Sequence, residues 1–220
     1  MRDPKRRSLM FDYLNRYEYD IALLQDTRIL NNRECMQWNA ECRCRGFWSV
    51  GTVHSRGVGI LIRDPAKFEG ISFDVDFDDR LNFLSQLDKY LLTRRKMIMG
   101  GDFNLVLDIA MHRFGGNPHG SIGSPELKRL LSKYHLIDIW RHQHPSLKTC
   151  IWSNAERSIM SRLDKFYISV DLVDDSKIVT GIQPCHLSDH DLVYFHIFDT
   201  HHVLTWGRGC LENEHFSPQA

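Results

Sequence analysis

No sign of charge prevails in this chain. Lys and Arg together number 28 and Asp and Glu also 28 in 220 residues, so net charge supplies no global pull toward nucleic acid or an acidic surface. No apolar run approaches the roughly 18 residues that a membrane-spanning helix needs, and the N-terminus lacks the apolar core of a secretion signal. These absences set the expectation of an intracellular protein with no membrane partner. Zinc-type cysteine pairs are lacking too. The six cysteines are Cys35, Cys42, Cys44, Cys150, Cys185 and Cys210, and Cys42-Arg43-Cys44 is too tight for a knuckle. Free thiols in a reducing compartment are expected. No repeat, low-complexity segment or obligate protein partner is evident.

What remains is an ordinary globular composition, 42% hydrophobic and 25% charged, long enough to bury a core without disulfides. One domain over residues 1–199 is expected, followed by a tail or linker over 200–220, where the pattern dissolves. Two short basic runs, Lys5-Arg6-Arg7 and Arg94-Arg95-Lys96, could face phosphates, although such runs are more often solvated faces.

Along the chain, Asp3-Pro4 reads as a helix start, and Leu9, Met10, Tyr13, Leu14 and Tyr17 recur at helical spacing. Ile21 to Gln25 reads as a buried strand ending in polar Gln25-Asp26. Phe47 to Val50 and Val58 to Ile62 read as a hairpin across Gly51 to Gly57. Ile71 to Phe77 alternates as a strand does. Leu81, Leu84, Leu87 and Leu91 mark a helix. Met97 to Met99 forms a strand leading into Gly100-Gly101-Asp102-Phe103-Asn104, and Ser124-Pro125 caps a helix carrying Leu127, Leu130 and Leu131. Cys150 to Ser153, Phe166 to Ser169 and Leu192 to Phe198 complete the strands. Mixed strands and helices of this kind predict an α/β sandwich.

Four polar clusters lie beside strands: Gln25-Asp26, Asp102-Phe103-Asn104, Ser161-Arg162-Leu163-Asp164 and Ser188-Asp189-His190. Singly, each reads as turn capping. Together they supply what metal-assisted phosphodiester hydrolysis requires: carboxylate oxygens for a hard cation, a base for water, and donors for a charged transition state. His112, His142 and His144 have no motif around them and are expected at the surface.

In this order, with Ser55-Arg56-Gly57-Val58-Gly59-Ile60-Leu61, Leu91-Leu92-Thr93-Arg94-Arg95 and Trp152-Ser153-Asn154 between them, the clusters resemble the endonuclease/exonuclease/phosphatase (DNase-I-like) superfamily. The resemblance is to its non-LTR retrotransposon branch, and it spans residues 2 to 198. It implies a four-layer α/β sandwich and magnesium- or manganese-dependent nicking of DNA, in the nucleus if functional. It further implies that Asp26 and Asp189 serve the metal, that Asp102 activates water, and that Asn104 steadies a phosphate oxygen. His190 would contact phosphate, Asp164 would pair with its imidazole, and Ser188 would support the site.

The chain departs from the pattern in several places. Asp26 stands where the family carries Glu, which withdraws the carboxylate by about 1.5 Å where metal–oxygen distances vary by a few tenths of an ångström. Ile151 stands where a Thr usually precedes the Trp-Ser pair. The family's first, Asn-bearing strand has no counterpart before Arg2, and Asp78-Asp79-Arg80 stands where a Tyr-bearing segment is expected. These losses predict an incomplete sheet, and with it a second reading: a catalytically silent remnant that at most binds nucleic acid.

Overall fold

The computed structural model describes residues 3–17, 19–50, 57–64, 80–93, 95–116, 119 and 121–198. The expected strand from Ile71 to Phe77, most of the turn after Val50, and the C-terminal tail lie outside them. The chain divides into two compact units, Met1–Asp76 with His196–Ala220, and Phe77–Phe195.

In the first unit α1 spans Pro4–Arg16, and its Asp3 cap accepts from the Lys5 backbone N–H. Arg7, Phe11 and Leu14 make its buried face. Arg7 is therefore no solvated cation: its guanidinium donates to both Glu41 oxygens at 2.6 and 2.8 Å and lies over the Trp38 ring. Helical periodicity turns this member of the basic run inward, because it lies four residues before Phe11. A helix not anticipated from the sequence, α2 (Asn32–Cys42), is capped reciprocally. Asn31 Oδ1 accepts from Glu34 N, and Glu34 Oε2 accepts from Leu30 N.

Strands β1 (Ile21–Gln25), β2 (Arg45–Trp48) and β3 (Val58–Ile62) form an antiparallel sheet of order β1-β3-β2. Register sets Trp48 opposite Gly59, where a Cβ would come 2.4 Å from the indole, so the glycine makes room for the ring. The core gathers Phe11, Leu14, Tyr19, Ile29, Trp38, Cys42, Trp48 and Leu61. The expectation of free thiols fails for one pair. Cys42 and Cys44 are joined as a disulfide, because Arg43 ends α2 at φ 55 and folds the flanking Cα atoms to 5.3 Å. Cys35, Cys150 and Cys185 are free.

The second unit contains α3 (Arg80–Leu91), β4 (Ile98–Asp102), α4 (Ile109–His112), β5 (Arg113–Phe114) and α5 (Ser124–Lys133). It continues through β6 (Leu136–Asp138), α6 (Ile139–Gln143), β7 (Trp152–Ser153), β8 (Met160–Ser161), β9 (Asp164–Ser169) and β10 (Ile178–Gln183). Strand β11 (Leu192–Ile197) begins in this unit and pairs with β10. Two three-stranded sheets, β4-β9-β6 and β5-β8-β7, supply the scaffold. Leu84, Leu91, Leu105, Leu127, Leu130, Leu136 and Tyr167 form the core. The cap of α5 is Gly123 at φ 94 rather than Ser124, whose hydroxyl donates to Val106 O and ties the helix start to the preceding loop.

His112, expected at the surface, is buried. Its ring nitrogen Nε2 lies 3.0 Å from Arg162 Nη2, and the Arg162 guanidinium also pairs with Asp138. Asp138 in turn caps α6 through Arg141 N. Burial, then the Arg162 charge, pushes the His112 imidazole down to about 3.

Two measurements follow from this packing. Leu130→Ala removes a side chain with no exposed surface and is expected to cost about 2–5 kcal/mol in a urea melt, whereas Leu92→Ala, at 78% exposure, stays within about 0.5 kcal/mol. His112 binds its proton more weakly folded than unfolded, so its contribution is present above pH 6.5 and is lost as pH falls toward about 3. Replacing it by the uncharged acceptor in His112→Gln is expected to flatten the acid limb of stability by up to about 1.4 kcal/mol per pH unit. Parallel limbs for the two proteins would contradict that assignment.

Candidate metal and phosphate site

The antiparallel pairing of β4 with β9 sets Asp102 directly opposite Asp164. Gly101 supports the end of β4 at φ 142, a conformation that favours glycine, and Asn104 turns the chain at φ 49. Asp102 Oδ1 accepts the Asn104 backbone N–H at 2.8 Å. His190 enters from the segment before β11, fixed by an isolated bridge to Trp152 and by its own N–H, which donates to Ser188 Oγ at 3.1 Å.

His190 Nδ1 lies 2.6 Å from Asp164 Oδ2. An ionised carboxylate only accepts, so Nδ1 carries the proton and Nε2 is the ring nitrogen left for other work. Burial pulls the His190 pKa down, but the hydrogen bond and charge of Asp164, with Asp102 and Asp189, outweigh it and raise the pKa above 6.5. Asp102 is also raised above its ordinary 3.8. Burial is the largest cause and the charge of Asp164 the next, against the Asn104 N–H, His190 and Lys165, which lower it.

One ligand atom from each of Asp102, Asp164 and His190 lies within 4.8 Å of the others, and all three residues are half-buried. This donor set fits a hard divalent cation: two carboxylates offer oxygens, and a cation would offset the burial and the Asp164 charge that together raise Asp102.

The other sequence-derived candidates are placed differently. Asn104 is exposed beside Asp102. Asp189 is exposed, outside the three-residue group, and accepts from the Trp152 indole N–H at 3.3 Å. Asp26 belongs to the first unit, where it follows β1 at φ 54.

Sequence reasoning missed two buried cations next to the site. Arg162 is held by Asp138 and His112. Lys165, with its pKa lowered to about 8 chiefly by burial, donates to Leu105 O and Leu163 O. The available signal was the strand alternation of β9, which puts Lys165 on the face opposite Asp164 and in step with core residue Tyr167.

Among the described residues, no helix is long and apolar enough to cross a membrane. A 3′ phosphatase from Neisseria, solved with a product DNA hairpin, is 17% identical, with 89% of this chain and 95% of that one covered at a TM-score of 0.66. An AP endonuclease from Archaeoglobus fulgidus is also 17% identical, covering 88% and 95% at a TM-score of 0.66. These likenesses establish a DNase-I-like α/β fold. In sequence, the chain is 27% identical over 224 aligned residues to a Xenopus laevis transposon TX1 protein of 149 kDa, described as uncharacterized. That match takes in 87% of this chain but only 17% of the relative's length. The model of the endonuclease/exonuclease/phosphatase family matches residues 1–190, and the chain belongs to that family.

Proposed function

We propose that the chain hydrolyses phosphodiester bonds of DNA with a divalent cation, Mg2+ or Mn2+, nicking one strand as in target-primed integration of a retrotransposon. The observation that carries this reading is the convergence of Asp102, Asp164 and His190. Family membership and the similarity to a transposon protein support it.

The bound cation would supply electrostatic stabilisation of charge on the phosphate oxygens, held by Asp102 and Asp164. Asp102 accepts the proton of the attacking water. Asn104 donates to a phosphate oxygen from its exposed position. His190, oriented through Nδ1 by Asp164, presents Nε2–H to phosphate in its charged form. Ser188 holds the His190 backbone. The metal roles of Asp26 and Asp189 rest on their places in the motif order alone.

A second reading, DNA binding without cleavage, is favoured by one departure: Asp26 stands where the family carries the longer Glu. If the chain is functional, the DNA would be engaged within the nucleus.

Relaxation of supercoiled plasmid by purified protein tests the proposal. Nicking is expected to require Mg2+ or Mn2+, to be weak, and to fall by roughly 10² or more in Asp102→Ala and in His190→Ala. Activity should be bell-shaped in pH. Its acid limb reports loss of the Asp102 proton, above 3.8, and its alkaline limb reports loss of the His190 proton, above 6.5. Nicking that survives both substitutions or chelation contradicts the assignment, and retarded but uncut plasmid selects the second reading.

A further inference from the structure

Lys165 is 1% exposed, on the interior face of β9 behind Asp164, where packing alone needs no cation. Burying an ammonium is costly, and a lysine chosen for packing alone would be replaced without loss by an apolar side chain of similar length. What the lysine does instead is join two pieces of chain. Its Nζ donates to Leu105 O at 2.8 Å and to Leu163 O at 3.1 Å. Leu163 O also accepts the Phe103 N–H at 3.3 Å. The two carbonyls bracket the functional groups, since Leu105 follows Asn104 and Leu163 precedes Asp164. Opposite Lys165 in the β4–β9 register is Gly101, the residue before Asp102.

We propose that Lys165 is a positioning residue of the Asp102–Asp164–His190 site, its ammonium clamping the loop over residues 103–105 to the start of β9. The inference rests on the reading of that site as a hydrolytic centre. The clamp sets the direction in which Asn104 and Asp164 leave the backbone. A group acting this way affects turnover through geometry and touches neither DNA nor water.

The test is amide hydrogen exchange on the full-length chain, read beside plasmid nicking. In Lys165→Met the Phe103 and Asn104 amides are expected to exchange at least about tenfold faster, while those of α5 and β6 keep their protection. Nicking should lose kcat with KM for plasmid unchanged. Unchanged protection at residues 103 and 104 overturns the proposal. If Lys165→Met does not fold, Lys165→Gln, which keeps one donor, is read in its place. Uniform loss of protection there too makes the lysine a structural group only and overturns the proposal. Localised loosening in a chain whose wild type does not nick leaves the positioning role standing and removes the hydrolytic reading instead.

Discussion

Two carboxylates facing each other across a pair of antiparallel strands are the constraint around which the second unit is arranged. The β4–β9 register fixes Asp102 against Asp164. Like charges so placed repel, and partial burial strengthens the repulsion. The surroundings answer it with positive groups. His190 donates to Asp164, the charge of buried Lys165 favours the ionised form of Asp102, and the Asn104 N–H is spent on Asp102. Asp102 still keeps a raised affinity for protons, through burial first and the Asp164 charge second. A site left in that condition is one that a cation would complete.

The cations that hold this arrangement are themselves held. Arg162 lies two residues before Asp164, paired with Asp138 and in contact with His112, and Asp138 also caps α6. Within the short stretch from Arg162 to Lys165 only Asp164 turns to the site, while Arg162, Leu163 and Lys165 are buried. The cost of burying two cations is offset in part by the Asp138 carboxylate beside Arg162 and the two carbonyls that accept from Lys165. The His112 imidazole, held neutral to about pH 3, is part of that offset, since a second positive charge beside Arg162 would undo it.

The sequence disclosed most where one period dominated. The helical spacing from Leu81 to Leu91 and the apolar run from Val58 to Ile62 are found as α3 and β3. The order of four polar clusters drew attention to Asp102, Asp164 and His190, and the structure sets these three together. Where a polar residue serves the interior, the pattern misled. Arg7 and His112 read as solvated and Lys165 drew no reading of its own, yet each is buried against a specific partner: Glu41, Arg162 or a pair of carbonyls. Helix α2 escaped notice for a related reason. Its Asn32–Cys42 sequence is mostly polar, and only Trp38 and Cys42 are buried. The disulfide between Cys42 and Cys44 depends on the left-handed turn at Arg43, a backbone choice that spacing does not reveal.

The central claim is that Asp102 and Asp164 hold one cation beside the His190 ring. Paramagnetic Mn2+ added below stoichiometry to isotopically labelled protein tests it most directly, through line broadening in nuclear magnetic resonance. The account predicts that the signals of Asp102, Asp164 and the His190 ring, with the neighbouring Trp152 indole N–H, broaden first. It also predicts that this selectivity disappears in an Asp102→Asn, Asp164→Asn double variant that keeps its fold. Broadening scattered over exposed acidic residues, or undiminished in the double variant, would contradict it.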